Sequence, residues 1–577
     1  MATDDFQVVG NNKSALFTLK VHRGDGMALL AMNWKKGKPP SDFVGFAIEY
    51  KEPKGDRFFA LNNRVGFPAA DGAVNPKALS TRLSPIQKFR WVHFPRNAEI
   101  DGDFVYRVTP VFMNSKDELS YGDPQQASIQ LRRETYPGLL NVCFTRGFVS
   151  SQAFVDRYGA KSIPKLLPAS ADGGLKFKPK LPDAEKAYAW MGFEARSAIL
   201  ELLDEAIADK KAQVRAAVYD FNEPGIVSRF EKLGDRLEII IDDDGAHGKP
   251  NSAESQAAKR LAKSAGKDHV KRQHMGKLQH NKIVVVDGPK VQACVCGSTN
   301  HSWRGFFVQN NNAIVLRGAN PVRIFQAAYE AYKANDDVAG FSKTGSAVWN
   351  DLKLKGIDAK IGFSPRSKKN AVLQSIADDI AKNTTSSLFF SLAFLYQTPG
   401  AIRNAVKKIK ADNKIFSYGI SDHKVPGLEE AAGVDVQKPD GTVTLVNPAA
   451  LTAKDTPEPF KSEPTGGGGT RMHHKFVVID FDKPTARVYM GSYNFSSAAD
   501  TSNGENLMLL KDRRIATSYV VEAVRLFDHY HFRLAQMEAK TARKKLQLQK
   551  PPKSGEKAWF EEDYTNPRKI RDRELFA

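Results

Sequence analysis

The sequence predicts a multidomain chain: an all-β sandwich at the N-terminus followed by two related, pseudo-symmetric α/β lobes. Three observations carry this expectation. The first stretch of about 135 residues reads as short alternating or aromatic runs separated by turn-forming residues. The remainder alternates strand-like and helix-like apolar patterns, as an α/β sheet requires. Within that remainder one stretch occurs twice, as HNKIVVVDG and then CGSTNHS from residue 280, and as HHKFVVIDF and then MGSYNFSS from residue 473.

The sandwich is assigned to residues 1–138. ALFTLKV, MALLAMNW, FVGFAIEYK, RFFALNN, KFRWVHF, DFVYRVTPVF and ASIQLRR follow one another at the spacing of strands, with KGKPP, EPKGD and DGD between them. Trp34 at the end of an early strand, and Tyr106 just after the DGD turn, resemble the core aromatic and corner tyrosine of fibronectin type III and immunoglobulin-like domains. That resemblance implies a module that binds or spaces. It receives no active-site residue, and it is where a protein partner would attach.

The first lobe is assigned to residues 139–345. A helical pattern runs through AEKAYAWMGFEARSAILELLDEAIADK, a strand from Val214 to Tyr219, a helix from Glu223 to Leu233, and a strand from Arg236 to Ile241. Asp242, Asp243 and Asp244 then follow. Three consecutive residues at a strand end cannot all face one ion, so they read as a solvated turn. The second lobe, with a basic tail, is assigned to residues 346–577. It holds a strand in SSLFFSLAFLY, a helix from Thr398 to Ala411, and a long helix from Ile515 towards Met537. TGGGGT, just before Arg471, suggests a mobile flap or a slack connector. The tail's aromatic residues, in AWFEEDYTNPRKIRDRELFA, are expected to dock back on the body.

The doubled stretch carries the chemistry. His280, Lys282, Asp287, Gly297, Ser298 and Asn300 are matched by His473, Lys475, Asp480, Gly491, Ser492 and Asn494. IVVV and FVVI read as buried strands. With a two-residue side-chain repeat, His280 and Lys282 share one face, as do His473 and Lys475, while His474 faces the other way and is structural. A histidine and a lysine at the end of an apolar strand are costly to bury unless an anion meets them. Two such pairs brought together make a phosphate site.

At this level the chain resembles the phospholipase D superfamily, over roughly residues 140 to 540. The resemblance implies a metal-independent phosphodiesterase with no cofactor. One histidine attacks phosphorus to form a phosphohistidine, and the other protonates the leaving oxygen and then activates water or an alcohol. Lys282, Lys475, Asn300 and Asn494, with Ser298 and Ser492 in the same turns, belong to the site that holds the non-bridging oxygens. Asp287, Asp480, Gly297 and Gly491 are its structural members. In this family an acidic residue beyond the Gly-Ser-x-Asn turn often orients a catalytic histidine. Glu505 stands fourteen residues after Gly491, whereas Asn311 stands fourteen after Gly297. The two histidines should therefore differ in basicity, and His280 is assigned as the nucleophile.

Composition selects among phosphodiester substrates. The net charge is +20, and residues 1–140 carry 19 Lys or Arg against 15 Asp or Glu, so most of the excess lies with the lobes. Residues 245–279 hold eight Lys or Arg against Glu254 and Asp268. Lys259, Arg260, Lys263, Lys271 and Arg272 are assigned to substrate binding there. Such a field suits a nucleic-acid backbone, DNA first, and an anionic membrane second. A nuclease is therefore expected. A phospholipase D or phosphatidyl transferase is the alternative enzyme, and a nucleic-acid-binding protein with a vestigial site the alternative of another class. No run has the length and apolarity of a membrane span or a secretory leader, which points to the cytoplasm. Cys143, Cys294 and Cys296 have no metal-ligand spacing and read as reduced core residues.

Overall fold

A computed structural model describes residues 5–63, 65–68, 79–131, 134–147, 154, 157–159, 162–412, 414–421, 425, 428, 436–437, 443–444, 472–541 and 546–577; of residues 530–541 it describes the backbone alone. The expected flap at TGGGGT lies outside the described residues. The chain divides into two units, one of residues 1–133 with 517–577 and one of residues 134–516.

In the first unit, alternation of buried and exposed positions along Phe17–Arg23 and Asp103–Met113 gives each strand one apolar face. Gln7–Val9, Phe17–Arg23, Ala28–Trp34 and Arg90–His93 pair antiparallel in that order. A second antiparallel sheet runs Leu119–Tyr121, Asp103–Met113, Phe43–Lys51, Phe59–Ala60, with Gln125–Gln130 also on Asp103–Met113. Phe17, Leu30, Trp34, Phe46, Ile48, Phe104 and Tyr106 fill the core between them. The tail docks here. Phe560 joins that core, and Trp559 stacks on Phe89 at 5.4 Å and donates to the Phe43 carbonyl at 3.0 Å. Arg90 binds Asp528 and Asp572, each at 2.7 Å. These interactions move residues 517–577 out of the expected third segment, 346–577, and into the N-terminal unit, since the tail buries its aromatic side chains in the sandwich.

The second unit contains two seven-stranded mixed sheets. The first has the order Leu140–Phe144, Asn312–Arg317, Gln292–Gly297, Ile283–Asp287, Gln213–Val218, Leu237–Ile241, Val270–Arg272. The second has the order Asn350–Asp351, Asp358–Ser364, Glu505–Lys511, Arg487–Gly491, Lys475–Ile479, Ser387–Leu392, Phe416–Ile420. In each, the motif strand pairs antiparallel on both sides, and parallel pairing begins one strand further out. Ile283 to Val286 and Phe476 to Ile479 are buried, in keeping with apolar runs covered on both faces. Among the described residues no helix is long and apolar enough to cross a membrane.

Candidate active site

The motif strands place their His-Lys pairs at strand starts, where the two sheets of the second unit meet. Two backbone bridges join them: Gln279 runs parallel to Gly504, and Asn310 parallel to Met472. Gly504 N–H donates to Leu278 O at 2.8 Å, and His473 N–H to Asn310 O at 3.1 Å. Each half thus presents the start of its motif strand to the segment that opens the last strand of the other half.

That arrangement crosses the partners of the histidines. His280 Nδ1–H donates to Glu505 Oε2 at 2.8 Å, and His473 Nδ1–H to Asn311 Oδ1 at 2.8 Å. Ser492 Oγ and Asn503 Nδ2 donate to the Glu505 carboxylate at 2.6 and 3.1 Å. Ser298 Oγ donates to Asn311 Oδ1 at 2.9 Å, and Asn311 Nδ2 donates to Gly305 O at 2.9 Å, which fixes that amide's orientation. The two serines therefore hold the groups that hold the histidines. The glycines before them are required by space: Gly297 and Gly491 have φ of +142° and +151°, and a Cβ would lie 2.4 and 2.2 Å from the carbonyls of Asn312 and Asn506.

With Nδ1–H bound, each ring turns Nε2 the opposite way. Lys475 Nζ donates to His473 Nε2 at 3.1 Å and to His473 O at 2.8 Å, and Lys282 Nζ donates to His280 O at 2.5 Å. All four side chains are at most 5 % exposed. Burial pushes the His280 pKa down, with Glu505 opposing. Burial and the cations Lys475 and Lys282 push His473 down much further. Burial also lowers Lys282 to about 8, and lowers Lys475 well below the ordinary lysine range. An aromatic ring backs each pair: Tyr219 lies 4.7 Å from both the His280 ring and Lys282 Nζ, and Phe394 lies 6.0 Å from the His473 ring and 5.4 Å from Lys475 Nζ. Nothing in the spacing of the motifs points to these rings.

Asn300 is buried and donates to Asp220 Oδ2 at 2.8 Å, while Asn494 is half-buried. Asp287 accepts from Gln292 and Gln326, and Asp480 from the backbone N–H groups of Thr385, Ser386 and Ser387. Both tie down loops away from the histidines. His474 is buried between Phe144 and Phe476, with Asn312 at 3.2 Å.

Two expectations are corrected. Asp242 is not part of a solvated turn but fully buried, because its strand face points inward: it accepts Gln279 N–H at 2.7 Å and binds His247 Nδ1 at 2.7 Å. The basic segment does not present five cations for substrate. Arg260 grips Glu231 in a bidentate pair and Lys271 binds Asp336 at 2.6 Å. Arg272 donates to the carbonyls of Asp242 and His247, holding the loop that they bound. Lys259 and Lys263 are exposed on the Ala253–Ser264 helix.

Sequence spacing did not reveal Asp220, His247 and Glu254, whose potential ligand atoms lie within 4.8 Å of one another. His247 Nε2 is 3.1 Å from Asp220 Oδ1. Burial would lower its pKa, but Asp220, Asp242 and Glu254 outweigh this and raise it to about 10. His247 is thus a cation donating from both nitrogens, and a metal would first have to displace a proton.

Two α/β sheets thus meet at paired, buried His-Lys motifs. A model of the family "Cardiolipin synthase, PLD-like domain" matches residues 451–527. The phospholipase D of Rickettsia felis is 44% identical over 48 residues, which are 8% of this chain and 22% of that protein, so the match spans about a fifth of the relative. Among solved structures, phosphatidylserine synthase of Haemophilus influenzae Rd KW20 is 12% identical, covering 62% of this chain and 94% of that one with a TM-score of 0.41. Nuc of Salmonella typhimurium, a phospholipase D family member, is 21% identical, covering 24% and 85% with a TM-score of 0.19. Around the second motif the chain is thus similar to phospholipase D-like domains.

Proposed function

We propose that the chain is a metal-independent phosphodiesterase of two pseudo-symmetric lobes, working through a phosphohistidine on nucleic acid, DNA first of all. The observation that carries the mechanism is the unequal pairing of the histidines, His280 with a carboxylate and His473 with an amide. Attack by His280 Nε2 on phosphorus makes that ring cationic, and the Glu505 carboxylate stabilises the charge where it develops. His473 is held neutral by its burial and by the lysines around it. An incoming phosphodiester anion offsets those lysines and lets Nε2 take a proton. His473 then gives that proton to the leaving oxygen as the P–O bond breaks. In the second half it takes a proton from water, whose oxygen attacks phosphorus and releases His280. Lys282, Lys475, Asn300 and Asn494 hold the non-bridging oxygens.

The net charge of +20 supports a polyanionic substrate. The test is to incubate purified protein separately with plasmid DNA, RNA and phospholipid vesicles, and to trap ³²P from the cleaved substrate. Label on His280 from DNA is expected. Cleavage of vesicle lipid alone would overturn the nuclease reading, and no label on either histidine would overturn the mechanism.

A further inference from the structure

We propose that His247 is a positioning residue of the first half of the site, clamping Asn300 and the backbone beside His280 through two carboxylates. This rests on the phosphodiesterase reading above. The connection is continuous. Asp242 takes Gln279 N–H at 2.7 Å with one oxygen and His247 Nδ1–H at 2.7 Å with the other. His247 Nε2–H reaches Asp220 Oδ1 at 3.1 Å, and Asp220 Oδ2 accepts from Asn300 Nδ2 at 2.8 Å. The Tyr219 ring lies between, 4.5 Å from His247 and 4.7 Å from His280.

The chemistry explains why a cation belongs in the middle. A carboxylate can only accept, so Asp220 decides which end of the Asn300 amide faces it and leaves one N–H of that amide for phosphate. An unneutralised carboxylate next to a phosphate site would repel the substrate. The imidazolium removes that charge while holding Asp220 in place. Among the described residues the other half shows no such clamp. Ala217 pairs with Ile283 and Ser391 with Phe476, equivalent steps of the two sheets, and beyond them Phe394 backs His473 and Lys475 as Tyr219 backs His280 and Lys282.

The test is a pair of double-mutant cycles read by kcat and KM on bis(p-nitrophenyl) phosphate and by affinity for inorganic phosphate, which needs no turnover. His247→Ala should lower kcat by about 10- to 100-fold, the range for residues that orient a reacting group. In an Asn300→Ala background the further loss should be clearly smaller, only the part acting through Asp242 and the charge of Asp220 remaining, whereas in an Asn494→Ala background the full loss should recur. Phosphate affinity should follow the same pattern. His247→Gln, which keeps a donor towards Asp220, should recover most of the activity. If His247→Ala does not fold, Asp220→Asn takes its place, with the same dependence on Asn300 expected. Equal losses in both backgrounds would mean a merely structural histidine and would overturn this inference alone. A wild type that neither hydrolyses the ester nor binds phosphate would overturn the parent reading, and this one with it.

Discussion

Glu505 holds His280 from the opposite sheet, 225 residues away in sequence, at 2.8 Å. The acid is buried and also takes the Ser492 hydroxyl at 2.6 Å, so its position is fixed before any substrate arrives. Preorganisation of this kind costs nothing at the moment of reaction. Glu505→Gln keeps the shape and removes the charge. It should lower kcat about 100-fold, and rapid-quench measurement should place the loss in phosphohistidine formation rather than in its hydrolysis.

His280→Ala and His473→Ala should each reduce cleavage by several orders of magnitude, and the double variant should be hardly worse than either, because the two rings divide one reaction. His474→Ala should keep most of the activity yet lower the melting temperature, since that ring fills space between Phe144 and Phe476. Robust turnover by either of the first two variants would refute the shared mechanism.

What was legible in the sequence was what local spacing carries. His280 and Lys282 lie two residues apart on one strand, and the fourteen-residue count from Gly491 finds Glu505 because both ends belong to adjacent strands in register. The same count finds Asn311, and so the asymmetry. The clamp was not legible, because Asp220, the Asp242–His247 loop and Asn300 come from three separate segments that only the sheet brings together. Charge misled for a related reason. A run of cations does not show which carboxylates lie opposite, and Glu231 and Asp336 neutralise Arg260 and Lys271 from other elements.

Lys282 links the site to stability. Its folded pKa of about 8 lies below the ordinary lysine value because burial disfavours the ammonium. Between these two values the unfolded chain binds more protons, so unliganded protein should gain stability as pH rises from about 8 towards 10.5. The shift corresponds to roughly 3 kcal/mol. Lys282→Met should therefore raise the melting temperature at pH 7 and abolish cleavage. A melting temperature that falls would show that the ammonium is well solvated.

Activity should survive EDTA, because the lysines supply the positive charge that a metal would otherwise bring. Complete loss in chelator, restored by magnesium or manganese, would instead assign a catalytic ion, and Asp220, His247 and Glu254 would be the first residues to examine.

The basic helix gives the sharpest test of substrate class. Lys259 and Lys263 are exposed on Ala253–Ser264, whereas Arg260, Lys271 and Arg272 are tied to protein groups. If the helix follows a phosphate backbone, Lys259→Gln with Lys263→Gln should weaken DNA binding about equally for all sequences. The log-log dependence on salt should flatten by about 0.7 to 0.9 for each phosphate that is no longer neutralised. Hydrolysis of bis(p-nitrophenyl) phosphate should be unchanged, because that ester needs only the paired motifs. Arg272→Gln should act differently, lowering the melting temperature and both activities together, since it releases the loop that carries His247. A DNA salt slope unaffected by the lysine pair would mean that this helix is a solvated face, and the nuclease reading would then rest on overall charge alone.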